Sequence, residues 1–265
     1  MRNDEYLDLY LENNWKLFPT NTKKAPLVPG GFKAATSDIN QLQHWYKSHP
    51  NANVAIATGH RSGIWVLDID CKNGVDGIDS LYSHLNKDEP KLMSLFENPY
   101  VITPSGGIHI YFAWEPELQL RNSAALLPGI DIRGEGGYVL APPSVCYVNG
   151  ERTPYRWQNS PTALGPAPSW LLSDIADLKQ RRKSPSPTKE ESRTEPRFDV
   201  STVLHGLPQG RRDDGIYKYA AHLKGVGIPY DIAVGFIREA AARCTPPFDQ
   251  KVAEEKVIRI YKNSI

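Results

Sequence analysis

The chain has almost no net charge, only three cysteines and no long apolar run, and each shortage removes a class of protein. Lys and Arg number 31 against 30 Asp and Glu, for a net charge of +1. That total does not advertise a polyanionic partner, although a local basic channel is compatible with it. Cys71, Cys146 and Cys244 are far apart and odd in number, with no Cys-x-x-Cys or Cys/His cluster. Neither a structural zinc nor a disulfide framework is indicated, and a reducing cytoplasm fits best. No apolar stretch approaches the ~18–20 residues of a membrane span. Met1–Tyr10 is polar and charged and lacks the apolar region of a signal peptide.

What is present describes a globular protein. Hydrophobic residues make up 40% and charged residues 23% of 265 positions, enough for one large domain or a large and a small one. Proline (22) and glycine (20) are plentiful and predict many turns and at least one linker. Tyr6, Leu9 and Tyr10 mark a short amphipathic helix, and Trp15–Phe18 a strand ended by Pro19. Asp38, with Gln41 three residues on, caps a helix bearing Ile39, Leu42 and Trp45. Asn53–Gly59 and Ile64–Asp70 read as strands joined in a hairpin through His60–Gly63. Asp79–Leu95 reads as helix broken at Pro90. Further strands are expected at Tyr100–Thr103 and Ile108–Trp114, then as a pair at Gly129–Arg133 and Tyr138–Ala141. A last hairpin is expected from Val145–Val148 to Tyr155–Gln158, through Asn149-Gly150.

A helix beginning near Ser169 or Trp170 closes this region. The following stretch, containing Arg181, Arg182 and Lys183, is polar and rich in Ser, Pro and charge, the composition of a flexible linker. A nucleic-acid contact by its basic run is the competing reading. Beyond it, Gly215–Lys224, a helix capped by Asp231 and another capped by Asp249 predict a small helical bundle of about 65 residues. The resulting division is 1–178, a linker at 179–197, and 198–265.

The chemistry centres on Ile64-Trp65-Val66-Leu67-Asp68-Ile69-Asp70. Residues two apart on a strand share a face, so Asp68 and Asp70 point the same way. Two anions so placed resist burial unless a divalent cation relieves them, and hard oxygen ligands suit magnesium or manganese. Taken alone, a solvated polar strand end is the simpler reading of the pair. Pro104-Ser105-Gly106-Gly107-Ile108-His109 sets a histidine just after a double-glycine turn, where backbone N–H groups can approach a phosphate. A satisfied sheet histidine is the alternative. In Gly129-Ile130-Asp131-Ile132-Arg133-Gly134, Asp131 and Arg133 share a face. The carboxylate is a candidate third metal ligand and Arg133 a candidate phosphate contact, unless the two form a cross-strand ion pair. Three carboxylates and a Gly-flanked histidine on strands fit phosphoryl or nucleotidyl transfer, and a nuclease would need the same metals.

The order of these motifs resembles the prim-pol domain (bifunctional DNA primase/polymerase, N-terminal) of the archaeo-eukaryotic primase superfamily. The likeness spans about residues 5–175. It rests on Leu67–Asp70, Ser105–His109 and Gly129–Gly134. Lys24-Ala25-Pro26, Gly31–Asp38, Trp45, Asn53–Gly59 and Gly136–Ser144 also match. The resemblance implies an α+β fold with mixed sheets, a small α/β part and an RRM-like part bracketing a cleft, followed by a small helical bundle. It implies that Asp68, Asp70 and Asp131 bind two catalytic Mg2+ or Mn2+ ions and that His109 contacts the triphosphate, with Ser105, Gly106, Gly107 and Arg133 nearby. Lys24 and Lys33 become candidate phosphate or template contacts. The tail, with Gly210-Arg211-Arg212-Asp213-Asp214 and Cys244–Phe248, resembles helical primase C-terminal modules, making Arg211 and Arg212 candidate DNA contacts.

The implied activity is DNA-dependent primer synthesis and extension from NTP or dNTP on single-stranded DNA, for a plasmid, phage or other mobile element. No zinc-binding stem and no helicase domain are visible in the sequence, so unwinding would come from a separate helicase. The alternatives are a non-catalytic single-stranded-DNA-binding or replication-initiation module and a metal-dependent nuclease.

Overall fold

The computed structural model describes residues 3–72, 74–115, 117, 119–183 and 200–262. The chain opens with α1 (Asn3–Glu12), β1 (Leu17–Thr20), α2 (Ile39–Ser48), β2 (Asn53–Ala57) and β3 (Ile64–Ile69). Then follow β4 (Cys71–Lys72), β5 (Val75–Asp76), α3 (Gly77–His84), α4 (Glu89–Leu95), β6 (Tyr100–Ile102) and β7 (Ile108–Ala113). Next come β8 (Ser123–Leu127), β9 (Ile130–Arg133), β10 (Tyr138–Ala141), β11 (Val145–Val148), β12 (Glu151–Pro154) and β13 (Arg156–Trp157). Helices α5 (Ser169–Lys183), α6 (Val200–Leu204), α7 (Arg212–Gly225), α8 (Tyr230–Arg243) and α9 (Gln250–Lys262) complete it. This is a mixed α+β protein with several antiparallel sheets. No helix among the described residues is long and apolar enough to cross a membrane.

The chain divides into two compact units. The first comprises residues 1–70, 97–125 and 130–166. Its first sheet has the order β1-β2-β10, antiparallel throughout, and its second, larger sheet runs β13-β6-β7-β3-β9-β8. Both β2 and β3 are buried along their whole length. A fully buried strand needs a partner on each edge for its N–H and C=O groups. β2 finds them in β1 and β10, and β3 in β7 and β9. The expected hairpin between β2 and β3 is therefore absent. Gly59, with φ +106°, turns the chain out of one sheet and keeps a single bridge to Ile64. For the same reason the expected pair of 129–133 with 138–141 is not formed, because β9 belongs to the second sheet and β10 to the first.

The core of this unit joins the first sheet to one face of the second, through Phe18, Val54, Ile56, Val66, Val101, Tyr111 and Val139. Trp15 stacks between Tyr10 (5.4 Å) and Tyr111 (5.9 Å). The Trp157 indole N–H donates to the Tyr10 hydroxyl at 2.9 Å, which in turn donates to the Pro142 carbonyl. Pro19 lies inside edge strand β1 opposite Val54, where its missing N–H costs no ladder bond. The Asn149-Gly150 turn joins β11 to β12, while Arg156 and Trp157 pair with β6 instead.

The second unit comprises residues 71–96, 126–129 and 167–265. Pro90 opens α4 rather than breaking a helix, since the first turn needs no proline N–H and Asp88 caps it. Asp249 caps α9 as expected, through the Lys251 and Val252 N–H groups. Asp231 does not cap α8, which begins one residue earlier behind Pro229. Helix α5 continues to Lys183, and the remainder of the expected linker, 184–197, lies outside the described residues.

Candidate functional site

Strands β7, β3 and β9 lie side by side at the centre of the larger sheet, and their register builds the site. His109 stands opposite Asp68 on one side, and Asp131 opposite Asp68 on the other. Because strand side chains alternate, these three project from one face, with Tyr111, Val66 and Arg133 forming the next row. Val66 and Tyr111 enter the core. The row above them carries charge at the end of the same apolar face. Asp68 is only 7% exposed and His109 5%.

Carboxylate oxygens of Asp68, Asp70 and Asp131 all come within 4.8 Å of one another. At an effective dielectric near 20, each such pair repels by roughly 3–4 kcal/mol. The protein offsets this with two side chains. Arg133 donates from Nε (3.0 Å) and Nη2 (2.8 Å) to Asp68 Oδ2, and from Nη2 to Asp131 Oδ2 at 2.7 Å. His109 Nε2 lies 3.4 Å from Asp68 Oδ1. Asp131 Oδ1 accepts the Ala125 N–H at 2.6 Å. Burial pushes the Asp68 carboxyl upward, but His109 and then Arg133 outweigh it and hold the group well below the usual carboxylate range. Burial alone would lower the Arg133 guanidinium, yet Asp68 first, then Asp131 and Asp70, raise it. Asp131 and Arg133 are thus ion-paired, and the same guanidinium also reaches Asp68.

The donor set fits a hard divalent cation. It offers three carboxylates and no sulfur, and oxygens on opposite sides of such an ion are about 4 Å apart, close to the spacing present.

The double-glycine turn serves the site through packing. The Gly106 N–H donates to the Thr103 carbonyl at 2.9 Å, and the Ser105 hydroxyl lies 3.3 Å from that of Thr103. A Cβ on Gly107 would fall 2.3 Å from the Ile69 carbonyl oxygen and 3.3 Å from Asp70 Cα. The turn therefore lies directly against the strand end that carries the carboxylates.

A cavity of about 230 Å3 opens beside Asp68, His109 and Arg133, lined also by Lys24, Phe32, Asn122, Gly136, Gly137 and Tyr138. Lys24 thus joins the site, its backbone carbonyl accepting the Tyr138 hydroxyl at 3.0 Å. Lys33 does not line the cavity; its carbonyl accepts from Arg61. Arg211 and Arg212 belong to the second unit. Arg212 donates to the Pro246 (2.7 Å) and Pro247 (3.1 Å) carbonyls and lies 5.6 Å over the Phe248 ring, so it braces its own loop. Phe32, Asn122 and Tyr138 were not singled out from the sequence. Phe32 and Tyr138 stand within stretches quoted for the family resemblance, whereas nothing local marks Asn122, whose Oδ1 lies 2.6 Å from where a Cβ on Gly137 would fall.

Residues 8–170, more than half of the chain, match the family model described as Bifunctional DNA primase/polymerase, N-terminal (Prim-Pol). No curated protein matches the chain.

Proposed function

The chain belongs to the Prim-Pol family, and from that premise we propose that it is a template-dependent nucleotidyltransferase making and extending primers on single-stranded DNA. The observation that carries this reading is the acidic triad, Asp68, Asp70 and Asp131, gathered beside a cavity with basic groups. In this reading the three carboxylates hold Mg2+ or Mn2+. When bound, the ions supply activation of the attacking 3′-hydroxyl and charge stabilisation for the leaving pyrophosphate. Arg133 and Lys24 present positive charge to the triphosphate. His109, buried against Asp68, positions that carboxylate and faces the same cavity. Gly107 keeps the turn close to Asp70, and Ser105, Gly106 and Gly107 are candidate nucleotide contacts.

The further parts of the proposal follow from the family. Residues 1–178 form the catalytic region, its large antiparallel sheet serving as the RRM-like part. Residues 198–265 form a helical module, with Arg211 and Lys33 as candidate DNA contacts. A separate helicase would open the template, and a replicating plasmid, phage or other mobile element in a cytoplasm would be the setting.

The test is primer synthesis on single-stranded DNA with nucleoside triphosphates and Mg2+ or Mn2+. Asp68→Ala and Asp131→Ala each abolish product, while circular dichroism shows a retained fold. Synthesis at the parental rate by either variant would overturn the metal assignment. Strand cleavage without triphosphates would instead identify a nuclease, and template binding with no product under any metal a binding module.

A further inference from the structure

Arg133 is paired with two of the three carboxylates that a cation would need. Asp68 Oδ2 and Asp131 Oδ2 both accept from its guanidinium, at 2.7–3.0 Å. The other oxygens of the two carboxylates face His109 Nε2 and the Ala125 N–H. The protein has thus built its own cation into the triad. A guanidinium and a divalent ion cannot both sit against the same pair of carboxylates without strong like-charge repulsion.

We propose that Arg133 is a displaceable counter-cation of the triad: divalent-ion binding drives it off Asp68 and Asp131, and the released guanidinium becomes the positioning group for the triphosphate. This rests on the metal-site reading above. Its path is available. Arg133 lines the 230 Å3 cavity and its side chain is 28% exposed, so rotation about its own side-chain bonds moves the charge without disturbing β9. Two consequences follow from charge alone. The bare triad binds a cation more weakly than three carboxylates otherwise would, because the ion competes with an existing pair. Cation and triphosphate binding are positively coupled, since one frees the group that the other uses.

The first measurement is titration of MnCl2 alone into the full chain and into its Arg133→Gln variant. This is followed by titration of a non-hydrolysable nucleoside triphosphate in saturating Mn2+. The variant is expected to bind Mn2+ about tenfold tighter, from removal of one like charge, and the triphosphate about tenfold weaker, from loss of a charge-assisted contact. A purely structural role would loosen both. Mn2+ affinity equal to or below that of the parent overturns the proposal. A second measurement needs no variant to fold: in the parent protein, the Arg133 Nε–H resonance is followed during Mg2+ titration. It is expected to move with Mg2+ saturation; a resonance that stays still while Mg2+ binds overturns the proposal. If neither protein binds Mn2+ or Mg2+, the metal-site reading fails and this proposal with it, an outcome distinct from binding without displacement.

Discussion

Gly107 shows how one residue controls the position of the acidic strand end. Its requirement is for space, because a Cβ there would meet the Ile69 carbonyl oxygen at 2.3 Å and the Asp70 backbone at 3.3 Å. Backbone cannot retreat as the tip of a side chain can, so the strain of overpacking, typically 1–3 kcal/mol, falls on the Asp68–Asp70 segment. Gly107→Ala is therefore expected to lower unfolding free energy by about 2 kcal/mol in urea denaturation. The same variant is expected to bind Mn2+ more weakly. Unchanged stability and metal affinity would show that the turn has more room than its contacts imply. The sequence marked Gly106 and Gly107 through their place before His109, and only the fold reveals that Gly107 lies against the backbone of Ile69 and Asp70.

At the scale of elements, α3 is held at its start by one side chain with two tasks. Asp76 Oδ1 accepts the Ile78 (3.0 Å) and Asp79 (3.1 Å) N–H groups, and Oδ2 meets His222 Nε2 of α7 at 2.9 Å. Loss of such a cap costs about 1 kcal/mol, before the contact with α7 is counted. Burial alone would raise the Asp76 carboxyl, but the His222 hydrogen bond and the two backbone N–H groups hold it below its ordinary value. A carboxyl depressed on folding contributes stability that is fully present above its unfolded value, about 3.9. That stability is lost as pH falls through the folded value. Melting temperatures taken from pH 7 down to 3 should fall steeply below about pH 4 in the parent. They should fall less steeply in Asp76→Asn, which keeps a capping oxygen but not the charge. Parallel curves would show that Asp76 does not carry this acid sensitivity.

For the molecule as a whole, the two compact units do not follow the simple order of the chain. Residues 71–96 follow on from the end of β3 and Asp70 and join the unit that contains α5 to α9. Tyr82 of α3 packs so close to Gly227, after α7, that a Cβ at Gly227 would meet its ring at 2.5 Å. Together with Asp76–His222, this ties α3 to the C-terminal helices. A fragment ending at residue 178 is thus expected to melt below the full chain, by roughly 5–10 °C, and to bind a hydrophobic dye. Equal melting temperatures would show that α3 and α4 are stable without those helices.

Strand and helix type, and the pairing of carboxylates on one face, were determined by the sequence itself, because side-chain alternation along a strand is a local property that Asp68-x-Asp70 and Asp131-x-Arg133 carry wherever they pair. The order of the motifs was equally legible, and with it the family. Tertiary structure alone decided that β2 and β3 enter different sheets, that His109 and Asp131 flank Asp68 from opposite sides, and that Arg133 turns onto the acids. Such pairings depend on which distant strand satisfies each buried edge, and many apolar strands satisfy that demand equally well until the whole sheet is assembled.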